Sequence, residues 1–127
     1  MTFYGFLAVG LGAALGAWLR WGFGIAFNPL FSSILLGTLA ANLVGGYLIG
    51  VAVEYFVHND SISPEMRLFV IVGFLGGLTT FSSFSSEAVE LLIDRQLGWM
   101  LALIAGHLIG SLAMTWLGIL SVRWLQA

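Results

Sequence analysis

Residues Gly73 to Glu87 read G-F-L-G-G-L-T-T-F-S-S-F-S-S-E. The stretch sits inside an apolar run, yet it holds three glycines, two threonines and four serines. Gly weakens a helix interior, and Ser and Thr bond to nearby backbone and compete with the helix ladder. In hydrocarbon, irregular backbone survives only where protein or a water-filled cavity satisfies the freed groups. The stretch therefore predicts a helix broken at Gly76–Thr80, with a site made from freed carbonyls and hydroxyls. The rest of the chain reads as what holds that site in a bilayer.

The surroundings fit. Of 127 residues, 60% are hydrophobic and only 8% are charged, where a soluble domain carries about 25% charged. The mean hydropathy is +1.04. Four apolar segments stand out: Phe3 to about Phe27, Leu30 to Val57, Leu68 to about Leu92, and Leu97 to Val122. Each supplies the roughly 20 residues that cross a hydrocarbon core. A soluble four-helix bundle is the competing reading, but no segment keeps a polar face for water. Residues 1–127 thus read as one all-α, four-span membrane domain. Met1 to Leu19 carry no charge, unlike a signal peptide with its basic start. The absence of cysteine excludes disulfides and thiolate metal sites. The small net charge of −2 gives no nucleic-acid signal. No nucleophile–base set or metal-ligand cluster points to an enzyme.

Within the spans, Gly12 and Gly16, Gly46 and Gly50, and Gly106 and Gly110 have the small-xxx-small spacing of closely packed helices. Trp18, Arg20 and Trp21 read as an interfacial end, with Arg20 either an anchor or the lining of an aqueous entrance. Thr38 and Asn42 share a helix face. Asn42 reads either as interhelical glue through its amide or as a donor pointed into a pore. Glu54 and Tyr55 read as interfacial. Ser63-Pro64-Glu65 predicts a helix start. His107, Ser111 and Thr115 form a polar stripe whose members need partners.

The charges bear on orientation. Four spans put both termini on one side, with Arg67 and Arg123. Arg20 and Arg95 fall on the other side, and there is no lysine. Orientation follows Lys/Arg bias near span ends, and here the count is balanced. The chain is therefore expected to insert both ways and to pair as an antiparallel dimer, the arrangement that single chains reach by inverted repeats.

Phe81 and Phe84 are three apart, with Ser82, Ser83, Ser85 and Ser86 around them. Ring edges carry partial positive charge. Together with hydroxyls and an amide they can surround a small anion without a full charge to trap it. Simple packing by the two phenylalanines is the alternative. Carbonyls freed near Gly76 to Thr79 suit a hard cation such as Na⁺, and two copies about a two-fold axis would give four ligands.

The sequence resembles the bacterial Fluc (CrcB) fluoride channels over essentially its whole length. The resemblance rests on G-A-W-L-R-W (Gly16 to Trp21), G-T-L-A-A-N (Gly37 to Asn42) and the long stretch Gly73 to Glu87. It implies a dual-topology homodimer in the bacterial inner membrane, with two antiparallel pores, passive fluoride conduction and a central sodium ion. It implies that Phe81 and Phe84 line the fluoride path with Asn42 as a donor. Ser82, Ser83, Ser111 and Thr115 would belong to the polar track, Arg20 to a vestibule, and the Gly76 and Thr79 carbonyls to the sodium site. His107 departs from the small polar residue expected there, and Glu87 receives no role. A small multidrug-type proton-coupled antiporter also has four short spans, but needs a deep carboxylate; Glu87 is the only candidate. A structural subunit without transport would leave the dense hydroxyls unexplained.

Overall fold

The computed structural model describes residues 1–127, and every regular element in it is helical. Helix α1 is Phe3–Phe27 and α2 is Leu36–Val57. The third span, Pro64–Ile93, comprises α3 (Pro64–Arg67), a π-helical segment (Leu68–Leu75), α4 (Gly76–Leu78) and α5 (Phe81–Ile93). Helix α6 is Leu97–Gln126. Four of these stretches are long and apolar enough to cross a membrane. Large apolar side chains cover the outside: Ile109 is 68% exposed and Leu112 is 73% exposed. Such a surface needs lipid as its solvent, and the protein is a multi-pass membrane protein.

Side chains set the helix starts. The Thr2 hydroxyl accepts from the Gly5 N–H at 2.9 Å. Ser63 accepts from the Met66 N–H at 3.1 Å with Pro64 in the first turn, the start that the sequence predicts. The beginning of α2 is capped from a distance. The Glu87 carboxylate accepts from the Leu35 N–H at 2.6 Å, and Asn28 Oδ1 accepts from the Gly37 N–H at 2.7 Å.

The third span is less regular than the others. Gly76 to Leu78 remain helical, while Thr79 (φ −86°, ψ 153°) and Thr80 (φ −151°, ψ 117°) are extended. The expected unwinding of Gly76 and Gly77 is therefore absent, and packing explains why. A Cβ on Gly77 would run into the Ala13 carbonyl and come within 3.0 Å of Ala13 Cα. The glycine admits α1 against the span rather than loosening the helix. The same interlock continues at Gly16, where a Cβ would meet the Phe74 carbonyl and lie 2.7 Å from the Leu78 nitrogen. The π-helical segment beside α1 has no signature in the sequence.

The remaining packing joins α2 to α6. The expected pair Gly106 and Gly110 meets only side-chain ends of Leu39 and Leu43. Backbone contact falls instead at Gly50 and at Gly118, where a Cβ would lie 2.9 Å from the Val51 nitrogen. Glu54, near the end of α2, is largely covered by the same helices, accepts from Arg123 Nε at 2.8 Å and lies 3.2 Å from His58 Nε2.

Overpacking a filled contact costs about 1–3 kcal/mol, and more against rigid backbone. Gly16→Ala is therefore expected to lower the melting temperature in detergent. Gly10→Ala should leave it unchanged, since nothing lies within 4 Å of a Cβ there. Thermal unfolding of the two variants side by side checks this, and equal stability would contradict the interlock.

Candidate functional site

Two extended residues in a membrane span leave backbone groups that must find partners. Thr79 turns back on its own helix: its N–H donates to the Leu75 carbonyl at 3.0 Å and its hydroxyl to the same oxygen at 2.8 Å. Thr80 is held from α2. Asn42 Oδ1 accepts from the Thr80 N–H at 2.8 Å, and Asn42 Nδ2 donates to the Thr80 carbonyl at 3.0 Å. The amide thus acts as a substitute peptide. Thr80 Oγ1 then accepts from the Ser83 N–H at 3.1 Å and caps α5. Sequence reasoning missed Thr80; its place directly before F-S-S-F, as a hydroxyl N-cap, was the available signal.

The neighbouring carbonyls divide into two groups. Arg20 Nε donates to the Gly77 carbonyl at 3.0 Å. The Thr79 carbonyl receives no donor from the chain, and no side chain donates to the Gly76 carbonyl. No group of three or more His, Asp, Glu or Cys is placed to hold a metal. A hard cation here would have to take main-chain oxygen, the ligand type alkali and alkaline-earth ions accept, with Gly76 and Thr79 as the candidate carbonyls.

A cavity of about 430 Å³ opens beside the extended residues, lined among others by Asn42, Thr79, Thr80, Phe81, Phe84 and Ser111. No formally charged side chain is on its wall. Phe81 and Phe84 meet edge to face with centroids 5.4 Å apart. Phe84 is buried and Phe81 is 72% exposed. His107 also lines the cavity and stacks on Phe84 at 4.5 Å.

Not every expected residue reaches this wall. The Ser82 and Ser83 hydroxyls gather round Thr80 Oγ1 at 3.2 and 3.1 Å. The Thr115 hydroxyl donates to the Gly46 carbonyl at 2.9 Å. Arg20 lines a separate cavity of about 400 Å³ with Trp21, Asn28 and Thr38. The wall of the main cavity is mostly apolar, and the polar groups on it, from Asn42, Thr79, Thr80, His107 and Ser111, carry no full charge.

Fold and cavity together define a small polytopic helical membrane protein with a largely apolar, uncharged cavity at an irregular third span. The chain belongs to the CrcB-like family: the family model described as "CrcB-like protein, Camphor Resistance (CrcB)" matches residues 7–119. It is 62% identical over 125 residues to a protein of Nitrosospira multiformis named fluoride-specific ion channel FluC, covering 98% of each chain. A protein of the same name from Pseudomonas aeruginosa is 58% identical over 119 residues, covering 94% of each chain. Another from Dechloromonas aromatica is 57% identical over 117 residues, covering 92% of this chain and 87% of the relative. The resemblance read from the three motifs is thereby established at the level of family, and the family is one of ion channels rather than enzymes.

Proposed function

We propose that this protein is a fluoride-selective channel that lets F⁻ leave the cell passively across the bacterial inner membrane. The observation that carries the reading is the uncharged cavity, where Phe81, Phe84, Asn42 and Ser111 converge. The names of relatives that match over nearly the whole chain supply the ion. Fluoride is small and strongly hydrated, and an apolar span offers nothing to replace that water. Partial positive charges on ring edges and hydroxyls replace it without holding the ion too tightly, which conduction requires. Ser82, Ser83 and Thr115 flank the track, and Arg20 serves its vestibule.

The finer arrangement belongs to the same proposal. The arginines are balanced between the two sides, which supports an antiparallel homodimer with two pores as the functional unit. The Gly76 and Thr79 carbonyls of both copies would hold a structural Na⁺ where the subunits meet. When bound it supplies fixed positive charge and cross-links the interrupted spans. The names of the relatives do not favour the antiporter. Its one deep carboxylate, Glu87, accepts from the Leu35 N–H through Oε1, while Oε2 is buried without a partner.

Three experiments test this. In fluoride-sensitive cells lacking their own exporter, expression of the chain should restore growth on fluoride, and no rescue by a membrane-inserted protein would contradict the proposal. A cysteine added at the terminus should be labelled from both sides of the membrane; labelling from one side only would remove the antiparallel dimer. Exchanging Na⁺ for a large organic cation should shift the purified protein towards monomer by size exclusion. An unchanged dimer after verified removal would argue against the central ion.

A further inference from the structure

The orientation of Asn42 is fixed by chemistry. The Thr80 N–H must meet an oxygen and the Thr80 carbonyl must meet an N–H, so Oδ1 and Nδ2 cannot be exchanged. Nδ2 has a second hydrogen, and it lies 3.0 Å from His107 Nδ1. That ring nitrogen must accept. The remaining nitrogen, Nε2, then carries the hydrogen of the neutral ring. Nε2 is buried and has no hydrogen-bond partner, on a residue only 3% exposed. The backbone of Thr80 thus determines, through Asn42, that the orphan on His107 is a donor and not an acceptor.

An unpartnered buried donor costs about 1–3 kcal/mol and calls for an explanation. This one belongs to a ring on the cavity wall, stacked on Phe84 with an interplanar angle of 23°. We infer that the His107 Nε2–H is a subsite for a small hard anion, through which the Asn42 amide acts on the ion at second hand. The inference rests on the channel reading and adds a residue to it. Asn42 polarises the ring from Nδ1, which strengthens the donor at Nε2. The donor carries no formal charge, so the ion is held only weakly. Because Nε2 is covered, occupancy requires a side-chain rotation in the wall. The unmet donor favours that rearrangement when an acceptor arrives.

Fluoride efflux from liposomes at graded fluoride concentrations tests the subsite. His107→Phe keeps the stack on Phe84 and removes both nitrogens. It should raise the half-saturating fluoride concentration by about tenfold, the worth of one hydrogen bond to a charged group. His107→Gln can accept from Asn42 and offer an N–H in turn, and should restore much of the loss. A Phe variant with the wild-type concentration dependence overturns the inference, as does equal impairment of the Phe and Gln variants. A second measurement uses the native protein. It contains two histidines, so ¹⁵N-histidine NMR resolves His107 from His58. Fluoride should shift the His107 Nε2–H signal and chloride should not; a signal insensitive to fluoride overturns the subsite even where the Phe variant fails to fold. Absence of efflux from the wild type would remove the channel reading itself, whereas a conducting wild type with these negative results removes only the subsite.

Discussion

Phe81→Ile should reduce fluoride flux by about tenfold or more, roughly 1.4 kcal/mol on the barrier, while the protein stays folded. Isoleucine keeps bulk and apolarity but has no ring edge to offer an anion. The position makes the test clean. Phe81 is 72% exposed in the single chain, so little of its environment depends on its shape. Phe84→Ile should lower flux at least as far, but it also removes the stack on His107. Aromatic pairs of this kind contribute about 0.5–1.5 kcal/mol beyond burial, so some loss of stability should accompany it. Efflux assays on variants that elute as wild type decide the matter. Unchanged flux in both would show that the rings pack and do not line a path.

The second large effect is expected at Asn42. Asn42→Leu leaves the Thr80 N–H and carbonyl without their partners. Each orphan costs about 1–3 kcal/mol, a large share of the 5–15 kcal/mol that stabilises a typical domain. The variant should therefore lose the folded state, seen as aggregation on size exclusion. Asn42→Asp should be recovered no better: one carboxylate oxygen can accept from the Thr80 N–H, but the other meets the Thr80 carbonyl, which needs a donor. A folded Asn42→Leu with normal flux would contradict the role assigned to the amide.

These two sites also show how far a sequence can be read. The four spans are visible because lipid imposes length and apolarity on each segment separately, and the Ser63-Pro64 start is visible because a cap is local. The crowding of hydroxyls between Gly73 and Glu87 marked the region where the span leaves the helix, at Thr79 and Thr80. The meaning of individual residues there was less legible. Gly76 and Gly77 signal a weak helix, yet Gly77 is needed for the approach of α1 and the residues that leave the helix are Thr79 and Thr80. Asn42 as glue and Asn42 as a pore residue looked like alternatives. The structure shows the glue, since the amide holds Thr80, and places it on the cavity wall as well. The pairs Glu54–Arg123 and Glu87–Leu35 join residues 69 and 52 positions apart, and no local pattern encodes such partners. The π-helical segment, which lies against α1, likewise has no local pattern to mark it.

The central claim is that an uncharged cavity at an irregular third span passes fluoride and refuses larger halides. Purified wild-type protein in liposomes, loaded with equal concentrations of fluoride or chloride and followed by ion-selective electrodes, tests it most directly. The account predicts rapid fluoride efflux once the membrane potential is shunted, and chloride efflux no faster than from empty liposomes. Comparable rates for the two ions, or no fluoride efflux from dimeric protein, would contradict it.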